Sequence, residues 1–309
     1  MSIENSTKNS RPFEFAEIYF NAYETYCMIK IERECDGKEI LSACREIAFQ
    51  VQDTLNIYDP RSELSRLCAC YRPLIPYHVS NMLYDFLKVN KTASKYCYGI
   101  FDPTIGNGIR YWEECQKQES VPESEIMKKI LYNSGMEHIH LNPETTEVMI
   151  DVPGITIHPG ASGKGFALDR VIHYLRNKQV QNACLNFGGN IYVLGSPSPA
   201  AEGWKIGIRD PDESDKIVTE VVLKDQAIST SSWYEHYFEK DGIIYSHLIN
   251  PQSGICSVSD FSSVSVITDI AVYGDILSTA LFLLGQKKGM DVIEQLRQTG
   301  ISISCVGVR

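Results

Sequence analysis

Asp275 and Thr279 stand four residues apart in the run Asp275-Ile276-Leu277-Ser278-Thr279-Ala280. A helix through that run puts one carboxylate and one hydroxyl on a shared face. Its other residues are mostly apolar, and a carboxylate buried alone is costly. A hard cation such as Mg²⁺, which takes oxygen ligands, is one partner that would satisfy it. A second grouping, Gly160-Ala161-Ser162-Gly163-Lys164-Gly165, precedes a helical stretch. Glycines let a ligand approach the backbone, a helix N-terminus offers N–H groups and partial positive charge, and Lys164 adds a full charge. That is the chemistry of an anion site, although the spacing is not that of a Walker A loop. Gly188-Gly189-Asn190 lies between apolar strands and would let a flat ring or a phosphate pass close to the main chain. His247 follows Tyr245-Ser246, and an imidazole there suits proton transfer.

Each grouping also has a plainer reading. The glycine loop is a tight strand-to-helix turn with a solvated lysine, and the Gly pair is a hairpin turn. His247 is a satisfied core or surface histidine, and Thr279 bonds back to its own helix.

The elements that must position these residues follow from periodicity and turn signals. Residues 15–33 read as β-structure, and 38–56 as an amphipathic helix broken at Tyr58-Asp59-Pro60. Residues 80–97 form a second helix with Ser80 as N-cap, and 122–133 a third. Short strands lie near 137–141 and 147–150, and a helix covers 166–178. Residues 181–195 read strand, Gly-Gly, strand, followed by strands at 204–209, 217–223 and 262–268. The Asp275 helix, a last helix over 289–299 and a strand over 301–308 close the chain. Helices and strands mix without a βαβ repeat, so the expected class is α+β, with mixed, largely antiparallel sheets flanked by helices. No linker rich in Gly, Ser or Pro divides the chain. One unit is expected over 15–309, after a mobile segment over 1–14.

The 309 residues are 43% hydrophobic and 22% charged, ordinary for a globular protein with a sizeable core. A net charge of -10 argues against a nucleic-acid partner held through phosphates. No apolar run is long enough to span a bilayer. The polar start lacks a basic-then-apolar leader and a lipid-attachment signal, which sets the expectation of a cytoplasmic chain. An exported form trimmed of its signal would read the same. The 10 cysteines are scattered, with a lone Cys68-x-Cys70 pair, so reduced thiols are expected.

Taken in order, Tyr58-Asp59-Pro60-Arg61-Ser62-Glu63-Leu64, Phe101-Asp102-Pro103-Thr104-Ile105-Gly106, Gly160 to Gly165, Asn186-Phe187-Gly188-Gly189-Asn190, Ser229-Thr230-Ser231, Tyr245 to Pro251 and Asp275 to Ala280 form a set. That set resembles the ApbE family of FAD:protein FMN transferases. The resemblance covers the chain from about residue 15 onward. It implies an ApbE-like domain related to the T-fold, binding of FAD and Mg²⁺, and transfer of FMN to a Thr or Ser hydroxyl of an acceptor protein, with release of AMP. It also implies a metal held by the Ala161 carbonyl, Asp275 and Thr279. Flavin and diphosphate contacts fall to Tyr58, Phe101, Asp102, Lys164, Gly188, Gly189, Thr230 and Ile249, with His247 beside the reaction centre as the candidate proton acceptor. Asp275 is the weaker candidate for that role.

Four positions depart from the family pattern. His158 stands where an Asp is usual, Asn250 where H-x-x-D-P has its acid, Ser278 where some members have another acidic residue, and Tyr23-Glu24-Thr25 where M-G-T is usual. Two alternatives stay open with the same metal site: FAD diphosphate hydrolysis to FMN and AMP, and a catalytically weak FAD-binding or flavin-delivery protein.

Overall fold

The computed structural model describes residues 13–33, 37–211, 213, 215–234, 237–240, 242–254 and 260–308. Most of the expected mobile segment, residues 1–12, lies outside them. Glu14 is already fixed, its carbonyl accepting the Arg33 N–H at 2.7 Å.

The chain opens with a hairpin of β1 (Phe15–Ala22) and β2 (Thr25–Glu32), followed by α1 (Gly37–Leu55), α2 (Glu63–Cys70) and β3 (Pro76–His78). Next come α3 (Asn81–Tyr96), α4 (Gly106–Lys117) and α5 (Ser124–Ile130). A hairpin of β4 (Ile139–Asn142) and β5 (Glu147–Ile150) leads to α6 (Gly163–Asn177). The strands β6 (Ala183–Phe187), β7 (Asn190–Leu194), β8 (Trp204–Arg209), β9 (Ile217–Leu223), β10 (Gln226–Ser232), β11 (Tyr237–Lys240), β12 (Ile243–Ser246) and β13 (Ser263–Thr268) follow. The last elements are α7 (Ala271–Gln298) and β14 (Ile303–Val308).

Seven strands form the main sheet in the order β1-β2-β6-β7-β10-β13-β14. Every neighbouring pair in it is antiparallel. The expected α+β class with largely antiparallel sheets holds, and the one parallel contact among the described residues is the isolated bridge Ile105–Thr156. The large core lies on one face of this sheet, where Ile29, Leu185, Ala227 and Val266 meet apolar residues of α1, α3, α6 and α7. Strands alternate sides, so Ile228 and Ile267 face a second, smaller cluster with Trp204, Ile208 and Leu223.

Two points differ from the periodicity reading. α6 begins at Gly163, so Lys164 is a helical residue rather than a loop residue. α2 and α4 occupy stretches where no element is expected. As expected, the Asp275 helix and the last helix are two helical segments of α7, divided at Gly285, whose backbone is not helical (φ 71°, ψ 178°). The Ser80 N-cap is present, its Oγ accepting the Leu83 N–H at 3.2 Å.

Candidate active site

The site is built where α6 and α7 cross. Gly165 makes the crossing possible: a Cβ there would stand 2.6 Å from the Ala271 carbonyl oxygen and 2.8 Å from the Asp275 Cβ. Each helix caps the other. The Asp169 carboxylate of α6 accepts the Ala271 and Val272 N–H groups at 2.8 and 2.9 Å, at the start of α7. Asp275 Oδ2 of α7 accepts the Gly165 N–H at 2.9 Å, in the first turn of α6. Both carboxylates therefore sit at the positive end of a helix dipole.

Gly165 is the third helical residue after the N-cap Ser162, so its N–H is one of the donors a helix start leaves without an intrahelical acceptor. Here Asp275 takes that N–H, and the Ala161 carbonyl has no backbone donor among the described residues. Ala161 is half-buried and lies just before the helix, so its carbonyl is open to water or to a ligand.

Asp275 is 6% exposed, and burial raises its pKa against the opposing pull of Lys164, the Gly165 N–H and the Asn190 side chain. Asn190 is itself buried, and its Nδ2 stands outside ordinary hydrogen-bond geometry among the described residues. Its dipole reaches Asp275 all the same. Ser162 and Ser229 also have buried hydroxyls without partners there. Thr279 lies half-buried one turn beyond Asp275, 3.1 Å from Ser231 Oγ, which is 2.9 Å from Ser278 Oγ. Ser278 in turn donates to the Asp275 carbonyl at 2.9 Å. Ser278, expected to depart from the family pattern, thus carries a hydroxyl that bonds locally.

Not every expected residue joins this group. Thr230 pairs with Ser265 across β10 and β13, 2.8 Å between hydroxyl oxygens, on the sheet face opposite α7. Its neighbour Ser231 is the residue that reaches Thr279, a consequence of two-residue alternation. The expected cradle of amides at the α6 N-terminus is also partly taken. The Gly163 N–H goes to Pro159 at 2.7 Å and the Gly165 N–H to Asp275.

The flanking motifs are ordered turns. Gly188 (φ 60°) and Gly189 (φ 92°) form the hairpin between β6 and β7, and a Cβ on Gly188 would meet Thr25 at 2.5 Å. The β1–β2 turn, Tyr23 and Glu24, thus packs beside the Gly pair. Glu24 of that turn lines a shallow cavity of about 420 Å³ with Asn21, Ala22, Thr25, Tyr26 and Gln52, which Asp275 does not line. Asp102 accepts the Thr104 N–H and hydroxyl at 2.9 and 2.7 Å, and burial raises its pKa. Phe101 is 3% exposed and packs in the main core, whereas Tyr58 is 53% exposed. Ile249 is buried with Ile105, Trp112, Met127 and Leu131. Half-buried His247 directly follows β12. Asn250 Oδ1 accepts the Gln252 and Ser253 N–H groups at 2.9 and 3.2 Å. An Asp oxygen would do the same, so this departure preserves the turn.

The chain matches the ApbE family over residues 23–303. It belongs to that family. An FAD:protein FMN transferase of Klebsiella pneumoniae is 32% identical over 221 residues, 71% of this chain and 68% of that protein. One from Treponema pallidum is 28% identical over 288 residues, 88% and 79% of the two chains. The crystal structure of the ApbE protein of Thermotoga maritima superimposes with a TM-score of 0.83 at 26% identity, covering 95% of this chain and 94% of that one. The fold is therefore an ApbE fold, and the α6–α7 crossing falls inside the matched region. Among the described residues no helix is long and apolar enough to cross a membrane.

Proposed function

We infer that the chain is an FAD:protein FMN transferase, moving the FMN half of FAD to a Thr or Ser hydroxyl of an acceptor protein and releasing AMP. The observation that carries this reading beyond family membership is the buried Asp275 carboxylate at the α6–α7 crossing, which caps α6 through the Gly165 N–H.

These residues fit Mg²⁺. The Asp275 carboxylate, the Ala161 carbonyl and the Thr279 hydroxyl are all hard oxygen donors. Asp275 is buried with no ion pair among the described residues, which calls for a positive partner. Among those residues no group of three or more His, Cys, Asp or Glu side chains is disposed to hold a metal. A cation here relies on one carboxylate and neutral oxygens, leaving positions for phosphate, as Mg²⁺ sites commonly do. When bound, the ion supplies Lewis-acid neutralisation of the diphosphate.

The chain's own groups do the rest. Lys164, on the first turn of α6, adds positive charge toward the same diphosphate. Ser162 Oγ, buried and without a partner among the described residues, is an available donor, and the Asn190 side chain supports Asp275. Tyr58 offers an exposed ring face to a flat heterocycle, and the Gly188-Gly189 turn admits close approach. The acceptor oxygen forms its bond to the FMN phosphorus as the bond from that phosphorus to the AMP oxygen breaks. An imidazole nitrogen of His247 takes the hydroxyl proton.

Incubation with FAD, Mg²⁺ and an acceptor protein tests this. Covalent FMN on the acceptor and one equivalent of AMP are expected. Free FMN and AMP without modified acceptor would make the chain a diphosphatase, and unchanged bound FAD would make it a carrier.

A further inference from the structure

Three segments distant in sequence meet at His158. Its N–H donates to the Pro103 carbonyl at 2.7 Å, joining it to the Phe101–Gly106 motif. Its ring lies edge-on to the Tyr58 ring, with centroids 6.1 Å apart and planes at 81°. The same ring packs on Gly160, where a Cβ would stand 2.9 Å from Nδ1 and Cε1. The Tyr58 oxygen is 3.3 Å from His158 Nε2 and 2.7 Å from Glu113 Oε1 on α4. His158 Nδ1 accepts the Gly160 N–H at 3.1 Å.

Only one arrangement of protons satisfies this chain. A backbone N–H can only donate, so Nδ1 presents its lone pair and the imidazole proton resides on Nε2. The Nε2–H then donates to the Tyr58 oxygen, and the Tyr58 O–H donates to the Glu113 carboxylate. An imidazolium would turn a second N–H against that of Gly160. Crowding by protein, with Arg110 nearby, accordingly pushes the His158 pKa down to about 4 despite the pull of Glu113.

We propose that His158 is a positioning residue. Held as the Nε2–H tautomer between Glu113–Tyr58 and the Gly160 N–H, it fixes the Tyr58 ring and the Gly160-Ala161 turn relative to one another for FAD. The proposal rests on reading the α6–α7 crossing as the diphosphate site. Because Ala161 follows Gly160 directly, losing the ring lets the open carbonyl drift. Because Tyr58 is exposed, losing its hydrogen bonds frees its ring to swing into solvent.

The test combines three readouts on the full chain. Nitrogen-15 NMR should show His158 with a protonated Nε2 and an unprotonated Nδ1; an Nδ1–H tautomer or an imidazolium at neutral pH overturns the proposal. FAD affinity is read from quenching of flavin fluorescence, which needs no turnover. Tyr58→Phe keeps the ring and removes both hydrogen bonds, and should weaken FAD binding about tenfold, the scale of one such bond. Glu113→Gln should weaken it less. His158→Ala should do at least as much as Tyr58→Phe, and His158→Gln, which keeps a donor and an acceptor, should recover part of the loss. In transfer assays the variants should raise KM for FAD more than they lower kcat. Wild-type affinity in both Tyr58→Phe and His158→Ala overturns the proposal, and Tyr58→Phe at its open position decides the matter if His158→Ala does not fold. A wild-type chain that binds FAD but transfers nothing counts against the transferase reading alone.

Discussion

Asp275 has two tasks at once, and a substitution separates them. As a cap on α6 it holds the Gly165 N–H, and as a buried carboxylate it is the one formal negative charge of the proposed cation site. Asp275→Asn keeps an oxygen for the N–H and removes the charge. Metal-dependent transfer should fall by about 10²-fold or more while the melting temperature changes little, read by activity and thermal melts on the same sample. His247→Ala should slow transfer about 10²-fold and leave FAD affinity within about twofold, the pattern of a proton acceptor. A large loss of affinity would make it a recognition residue instead. Residue spacing made Asp275 and Thr279 legible, because four residues is one helical turn. It could not choose between Thr230 and Ser231. The run Ser229 to Ser232 is hydroxyl at every position, so no alternation of polarity says which side faces the helix. Glu113 and Asp169 carry no local signal either, because their partners lie 55 and about 100 residues away.

At the scale of elements, the reciprocal caps tie α6 and α7 into one unit. Gly165→Ala would drive a methyl group into the Ala271 carbonyl at 2.6 Å, which is backbone and cannot step aside. The substitution should cost about 1–3 kcal/mol in urea unfolding and abolish Mg²⁺-dependent activity by parting the donors. Asp169 predicts a pH effect. Crowding by protein raises its pKa from 3.8 to about 7, against the Val272 and Ala271 N–H donors and Arg176. Between about pH 4 and 7 the folded state keeps a proton that the unfolded chain has released. Stability should therefore fall as pH rises through that window and level off above it. Asp169→Asn should flatten that slope in urea melts taken across the range, at the expense of one of the two cap bonds. Longer elements were readable because amphipathic periodicity accumulates over several turns, as in α1 and α3. α2 is eight residues, too short to show a period, and α4 opens with Gly106-Asn107-Gly108, which reads as loop chemistry. The division of α7 at Gly285 was legible, since a glycine at the end of an apolar run is how a helix stops.

For the whole molecule, hairpin neighbours such as β6–β7 followed from the Gly-Gly turn, whereas the partner of β2 did not. Its neighbour β6 begins 151 residues after the close of β2, at Ala183 against Glu32, and nothing in either strand names the other. The class and the antiparallel bias were legible because strands alternate with turns and no βαβ period appears. The strand order was not. That order has a consequence at the far end of the chain. All six residues of β13 are buried, and six-residue β14 lies along its outer flank. A chain shortened by its last seven residues would leave Ser263–Thr268, rich in Val and Ile, with a bare row of amides and carbonyls. Such a strip templates association with further copies, so the truncated protein should scatter light and bind an amyloid dye at concentrations where the full chain stays clear. The closing strand is thus a guard on solubility.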